Sequence, residues 1–174
     1  DFAAWYQNEF PQLSPGHIIL GSDVFGSTTQ ALWYQSPHYR LGIRYDPSED
    51  SAQIIDLRSY FNNFQEPYYW SPNGSDKLTI DLPAAIDSIQ SPGDVWSLPV
   101  GHWEANTGSA DHFELRFDKM KITLEPDKIL LSNLTDNSIQ PHITSSFEIT
   151  SHTSEVKLTP LPSWDYDTEG HIFE

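Results

Sequence analysis

Apolar and polar residues alternate with a period of two along most of this chain, and turn-forming residues interrupt the alternation at intervals of roughly ten positions. A backbone with that pattern presents one apolar face per strand and must bury it against another sheet, which makes the chain all-β. Registers follow from the turns. Residues 121–125 and 128–131 flank Pro126-Asp127, so Leu124 is expected opposite Ile129 and Ile122 opposite Leu131. Residues 31–35 and 38–45 flank Ser36-Pro37, which pairs Tyr34 with Tyr39 and Leu32 with Leu41, and gathers Trp33, Arg40 and Arg44 on the other face. Residues 144–150 and 154–159 flank His152-Thr153, placing Ile149 opposite Val156 and Phe147 opposite Leu158. Further strands are predicted over 52–60 and 77–82, and the apolar phase changes between Phe117 and Ile122, which requires a bulge or a tight turn over 118–121.

Helical signals are few. Phe2, Tyr6 and Phe10 are spaced for one face of a short helix over residues 1–10, ended by Pro11, which would cap one end of the core. A second short helix is predicted over 83–90, where Pro83 at the first turn precedes Ala84, Ala85, Ile86 and Ile89. Many short strands without long crossover helices point to a β-sandwich of jelly-roll type, with a lipocalin-like closed β-barrel as the alternative. The longer connections around 46–51, 62–74 and 91–94 favour the sandwich, because they suit Greek-key crossings. Residues 1–174 read as one domain, closed by an acidic segment over 163–174.

Composition excludes several functions. Without cysteine there is no disulfide framework, no thiolate nucleophile and no cysteine zinc site. A formal net charge of −16 repels phosphate backbones, so nucleic acid is not expected as a partner. No apolar run approaches the roughly 20 residues that cross a bilayer, so membrane insertion is not expected either. The first residue is Asp1 rather than Met, and the triplets Asn73-Gly74-Ser75 and Asn133-Leu134-Thr135 are glycosylation sequons. Together they favour a secreted or extracytoplasmic location. The hydrolase elbow, the phosphate-binding glycine loop, the dinucleotide fingerprint, H-E-x-x-H and the H-x-H of cupin-like metal sites are all missing.

Four groups of residues carry chemistry. His102, Glu104, His112 and Glu114 flank a turn-forming tract; pairing Glu104 with His112 puts His102 opposite Glu114 and Trp103 opposite Phe113, and gathers all four ionisable groups on one strand face. Two imidazoles beside two carboxylates could move protons or hold a divalent metal, and on a solvated face the same residues would be two cross-strand ion pairs. Tyr68, Tyr69 and Trp70 place bulky rings at adjacent positions, and neighbours in a strand point to opposite faces, so some ring must reach solvent or a cleft. Flat exposed rings bind apolar faces of sugars. Trp33, Arg40 and Arg44 add a guanidinium beside an indole, either as an anion site or, with Arg58, as partners for acids such as Asp46, Glu49 or Asp56. Asp165, Asp167 and Glu169 precede Gly170 like the opening of a calcium loop, so this segment is either an acidic tail, the preferred reading, or a weak site for calcium, the one candidate cofactor.

The leading expectation is a non-catalytic module that binds carbohydrate or another small molecule through exposed aromatics. A small β-fold lyase, isomerase or cyclase using the His/Glu face is the runner-up, and a structural or assembly subunit is the third.

Overall fold

A computed structural model describes residues 2–23, 27–61, 84–133 and 141–163. The chain is mostly β, and the described residues form two six-stranded antiparallel sheets that do not close into a barrel, so the lipocalin-like alternative does not apply. Each sheet is built from one half of the sequence. The first contains β1 (His17–Ser22), β2 (Gln30–Gln35), β3 (Tyr39–Asp46), β4 (Ser51–Ser59), β5 (Ile86–Asp87) and β6 (Trp96–Leu98). They run β1-β2-β3-β4, with β5 and β6 pairing successive stretches of β4. The second contains β7 (Trp103–Ser109), β8 (His112–Phe117), β9 (Lys121–Glu125), β10 (Lys128–Ser132), β11 (Phe147–His152) and β12 (Glu155–Pro160), in the order β11-β12-β10-β9-β8-β7. The inward faces meet in one apolar core that includes Leu41, Leu57, Ile122, Leu124, Ile129 and Leu158, all fully buried.

Tyrosines stitch the sheets together. The Tyr39 hydroxyl donates to the carbonyls of Glu125 and Lys128 at 2.8 and 3.1 Å, and its ring meets Phe147 edge-on at 6.4 Å. The Tyr34 hydroxyl donates to Ala110 O at 2.7 Å, at the tip of the β7–β8 hairpin. Burial is the main force raising both phenol pKa values, Tyr34 to about 12 and Tyr39 well above the ordinary tyrosine value, because the charged form is disfavoured where each hydroxyl lies.

The β9–β10 register is as expected, with Leu124 against Ile129 and Ile122 against Leu131. Residues 118–120 form the tight turn into β9, where Phe117 N donates to Met120 O. Two other hairpins are displaced by two residues. Tyr34 faces Leu41 and Leu32 faces Ile43, while Ile149 faces Leu158 and Phe147 faces Pro160. A displacement of two preserves which face each side chain occupies. It arises because each turn sits one residue later than expected, at Pro37-His38, where the Ser36 hydroxyl accepts from His38 N and Tyr39 N, and at Thr153-Ser154.

Both helical expectations change. Residues Phe2–Glu9 do form α1, but Phe2, Trp5, Tyr6 and Phe10 are exposed and contact one another instead of capping the core. The helix expected over 83–90 is replaced by β5 and a turn, because the Asp87 carboxylate accepts from Ile89 N and Gln90 N and holds the backbone out of a helix. A short helix α2 (Pro141–Ser146) instead occupies the start of the strand expected from 144, and buries Ile143. The connection at 46–51 is a plain β3–β4 hairpin turn, not a crossing. The strand expected over 77–82 lies outside the described residues.

Candidate functional site

The His/Glu constellation does not assemble as its expected register required. β7 continues through the presumed loop to Ser109, and Ala110-Asp111 alone makes the turn, so Ser109 faces His112, Thr107 faces Glu114 and Trp103 faces Phe117. Gly108 permits this, since its φ is +111° and a Cβ there would stand 2.0 Å from the His112 carbonyl oxygen. Glu104 falls at the irregularity between Trp103 and Ala105 and pairs with nothing on β8. His102 lies elsewhere, its Nδ1 at 3.4 Å from Asp50.

Only His112 and Glu114 come together, at 3.6 Å, on the outer face of the second sheet. There Glu114 accepts from Arg116 at 2.6 Å and Lys121 at 3.1 Å, while Glu125 meets His112 at 3.1 Å and Lys128 at 2.5 Å. Hydrogen bonds from Arg116 and then Lys121 hold the Glu114 carboxyl down to about 2, and Lys128 is the main cause lowering Glu125. The arrangement is a cross-strand ion lattice open to water. Among the described residues no group of three or more side chains is placed to hold a metal ion.

Trp33, Arg40 and Arg44 do share the outer face of the first sheet, where the Trp33 ring lies across Gly42 and the Arg40 guanidinium stands 5.7 Å from its centre. Arg40 is nevertheless committed: it forks onto Asp56 at 3.0 and 2.7 Å. Arg58 reaches the same carboxylate at 3.2 Å and Asp87 at 2.6 Å. Two guanidiniums and two carboxylates thus neutralise one another beneath that face, with the Asp56 side chain 1% exposed. Arg44 has a different role. It donates to Gln53 and lines a polar cleft of about 530 Å³ with Ser27, Thr29, Asp46 and Ser51. Tyr68, Tyr69 and Trp70, and the calcium candidates Asp165, Asp167 and Glu169, lie outside the described residues.

A second cleft, of about 270 Å³, opens between the sheets and was not foreseen. Leu20, Leu32, Ile43 and Tyr45 of the first sheet line one wall and Trp103, Leu115 and Phe117 of the second line the other, with Ser22, Gln30 and Asn106 also on its surface. Its position follows from topology. Among the described residues β1 and β7 are outer strands of their sheets, and they lie near each other, Gly16 by Ala110 and Leu20 across the cleft from Trp103. They approach closely at one end, where a Cβ on Gly16 would stand 3.1 Å from Ala110, and the cleft occupies the other end. Inward positions there carry Ser22 opposite Gln30 and Asn106 opposite Leu115, where alternation elsewhere supplies large apolar residues. Those three polar positions are the sequence signal for the cleft.

Tyr45 fixes its floor. The Tyr45 ring packs on Phe117 at 5.5 Å, its hydroxyl accepts from Trp103 N at 3.1 Å, and it reaches Asp50 at 3.4 Å. No helix among the described residues is long and apolar enough to cross a membrane. No protein-family model matches the chain, and neither a curated protein nor a solved structure is significantly similar to it.

Proposed function

We propose that this chain is a non-catalytic, extracytoplasmic β-sandwich module that holds a small, mainly apolar ligand in the cleft between its sheets. The observation that carries this reading is that Leu32, Ile43, Leu115 and Phe117, all buried core residues, border open space instead of closing on each other. Protein interiors pack to the density of organic crystals, and unfilled space beside core side chains forfeits dispersion contacts that a ligand can restore. Ligand sites are typically apolar concavities with a few polar groups, and this cleft has that make-up. A dry apolar cavity of about 150 Å³ takes benzene. A cleft of about 270 Å³ has room for a two-ring molecule.

The test uses 2-ethylnaphthalene as probe, with thermal unfolding and NMR as readouts. Binding to the native state should raise the melting temperature. Asn106→Phe, which puts a ring into the cleft opposite Leu115, should abolish the rise while keeping the fold. An unchanged melting curve in the wild type, or equal binding by Asn106→Phe, would remove this reading.

Carbohydrate is the second reading, and it rests on the polar cleft at Arg44. Hydroxyl, carboxylate, amide and guanidinium groups converge there as a polyol would need. A glycan array read with wild type and Arg44→Ala tests it, and no glycan hit with either would end it.

A further inference from the structure

An open sheet has to guard its edges against pairing with another chain, and among the described residues every end of the two sheets except one is guarded. β5 and β6 are only two and three residues long. β7 carries Glu104 at an irregularity in its pairing, and β11 carries Glu148 and exposes no large apolar side chain. β1 has none of these devices. It pairs with β2 over six residues without a register break, contains no Lys, Arg, Asp, Glu or Pro, and holds Ile19 and Leu20 64% and 50% exposed. Its backbone is open as well. Asp23 N donates to Thr29 O, and bonding alternates from pair to pair along an antiparallel ladder, so the N–H and C=O groups of Ile18, Leu20 and Ser22 point away from β2. No described strand pairs with that edge.

The apolar surface continues into α1. Of the nine large apolar side chains exposed among the described residues, seven belong to residues 2–20, and four of these are aromatic. Aromatic side chains of about 150–250 Å² that are half to three-quarters exposed, together with Leu13, Ile19 and Leu20, offer close to the roughly 800 Å² per partner of a standard interface. Charge is nearly absent there. Glu9 is the only acid between Phe2 and Ser22, and that stretch has no Lys or Arg, in a chain of net charge −16. Two copies meeting elsewhere repel each other, and this face is spared that repulsion. We propose that it joins two copies of the chain in a two-fold dimer, with β1 antiparallel to β1 of the second copy and the aromatic face of α1 packed beside the pair. Ile18 and Leu20 face the core side, as their neighbours Tyr34 and Leu32 do. The register that keeps faces and open hydrogen-bonding groups matched, and pairs the most apolar residues, sets Ile18 against Leu20 and Ile19 against Ile19 of the second copy.

Sedimentation velocity of the wild type should show a dimer that dissociates on dilution. Ile19→Lys, which sets two ammonium groups opposite each other at the axis, should weaken it more than about tenfold. Ile89→Lys, at an exposed isoleucine outside the face, should leave it unchanged. Since the chain has no cysteine, Ile19→Cys gives a direct check of the register. Opposed residues of a non-hydrogen-bonded antiparallel pair stand close enough for a disulfide, so oxidation should give a covalent dimer with Ile19→Cys and not with Ile89→Cys. Both isoleucines are exposed, and unchanged circular dichroism should show that the variants keep the fold. A wild type still monomeric at millimolar concentration overturns the proposal, as does a dimer that survives Ile19→Lys. So does Ile19→Cys crosslinking no faster than Ile89→Cys, or a monomer that instead binds phosphatidylcholine vesicles through this face.

Discussion

Replacing Asp56 by Asn tests whether the ion cluster under the first sheet is structural. The Asp56 carboxylate accepts three hydrogen bonds, two from Arg40 and one from Arg58, with its side chain 1% exposed against 10% for Arg58 and 33% for Arg40. The substitution keeps the shape and removes the charge, which leaves two guanidiniums facing the single carboxylate of Asp87. Breaking a buried pair from one side costs about 3–5 kcal/mol, because a charge is left uncompensated out of water. Here the loss is at the low end, about 3 kcal/mol, since Arg58 keeps its 2.6 Å contact with Asp87 and Arg40 is exposed enough to recover water. For a chain of this size that corresponds to a fall of about 6–12 °C in melting temperature. The control is Glu114→Gln in the ion lattice of the other sheet. Its partners Arg116 and Lys121 are 53% and 40% exposed, so the loss should stay below about 1 kcal/mol and vanish in concentrated salt. Urea unfolding of both variants at low and high salt gives the comparison. A loss for Asp56→Asn no larger than that of Glu114→Gln, and equally erased by salt, would refute the argument from burial.

Three further outcomes are expected. Tyr34 and Tyr39 have raised folded-state pKa values, so their contribution to stability is fully present below pH 10, the ordinary tyrosine value, and is lost as pH rises through the raised values, about 12 for Tyr34. Absorbance at 295 nm should show two of the eight tyrosines ionising only with unfolding, and Tyr39→Phe, which also loses its bonds to Glu125 O and Lys128 O, should remove one of them. Gly108→Ala should destabilise by more than about 1 kcal/mol in urea, since φ is +111° and its Cβ would meet the His112 carbonyl; a neutral result would refute the β7–β8 register. Expressed in glycosylating cells, the protein should carry a glycan on exposed Asn133 at the end of β10, and Asn133→Gln should lower the mass by one glycan; an unchanged mass would count against a secreted location.

Alternation within single strands was legible because it is local. Leu32, Tyr34, Leu41, Ile122, Leu124, Ile129 and Leu131 face the core as their spacing requires. Registers were legible only where the turn has one obvious length. Pro126-Asp127 forces a two-residue connection, whereas Ser36-Pro37 allows the chain to continue through His38 before β3 begins. In the β7–β8 hairpin the turn residues misled, since Asn106, Thr107, Gly108 and Ser109 are small and polar yet belong to an edge strand. Composition cannot tell a solvent-facing edge strand from a loop, because both satisfy the same residues with water. That single error dispersed the His/Glu site. His112 turned out to face Glu125, a partner thirteen positions away that the hairpin alone could not reveal.

The cleft escaped sequence reasoning for a different physical reason. Its walls come from β1, β2 and β3 on one side and β7 and β8 on the other, two groups of strands that belong to different sheets and are not paired with each other. Pattern fixes which residues face inward, but the separation of two facing sheets depends on the volumes that meet between them. Along most of the interface those volumes match, as Tyr39 against Phe147 and Tyr45 against Phe117 show. At the ends of β1 and β7 they do not, because Ser22, Gln30 and Asn106 are too small or too polar to seal an apolar seam. A sandwich selected only for stability would place leucine or phenylalanine there, and gain both burial and a closed edge. Three polar residues at inward positions of one seam are the pattern that the proposed ligand cleft needs and that a packed seam does not. The corresponding substitution is therefore diagnostic: Asn106→Phe should raise stability and remove ligand binding together, and a variant that loses stability instead would mean the seam is already packed as well as it can be.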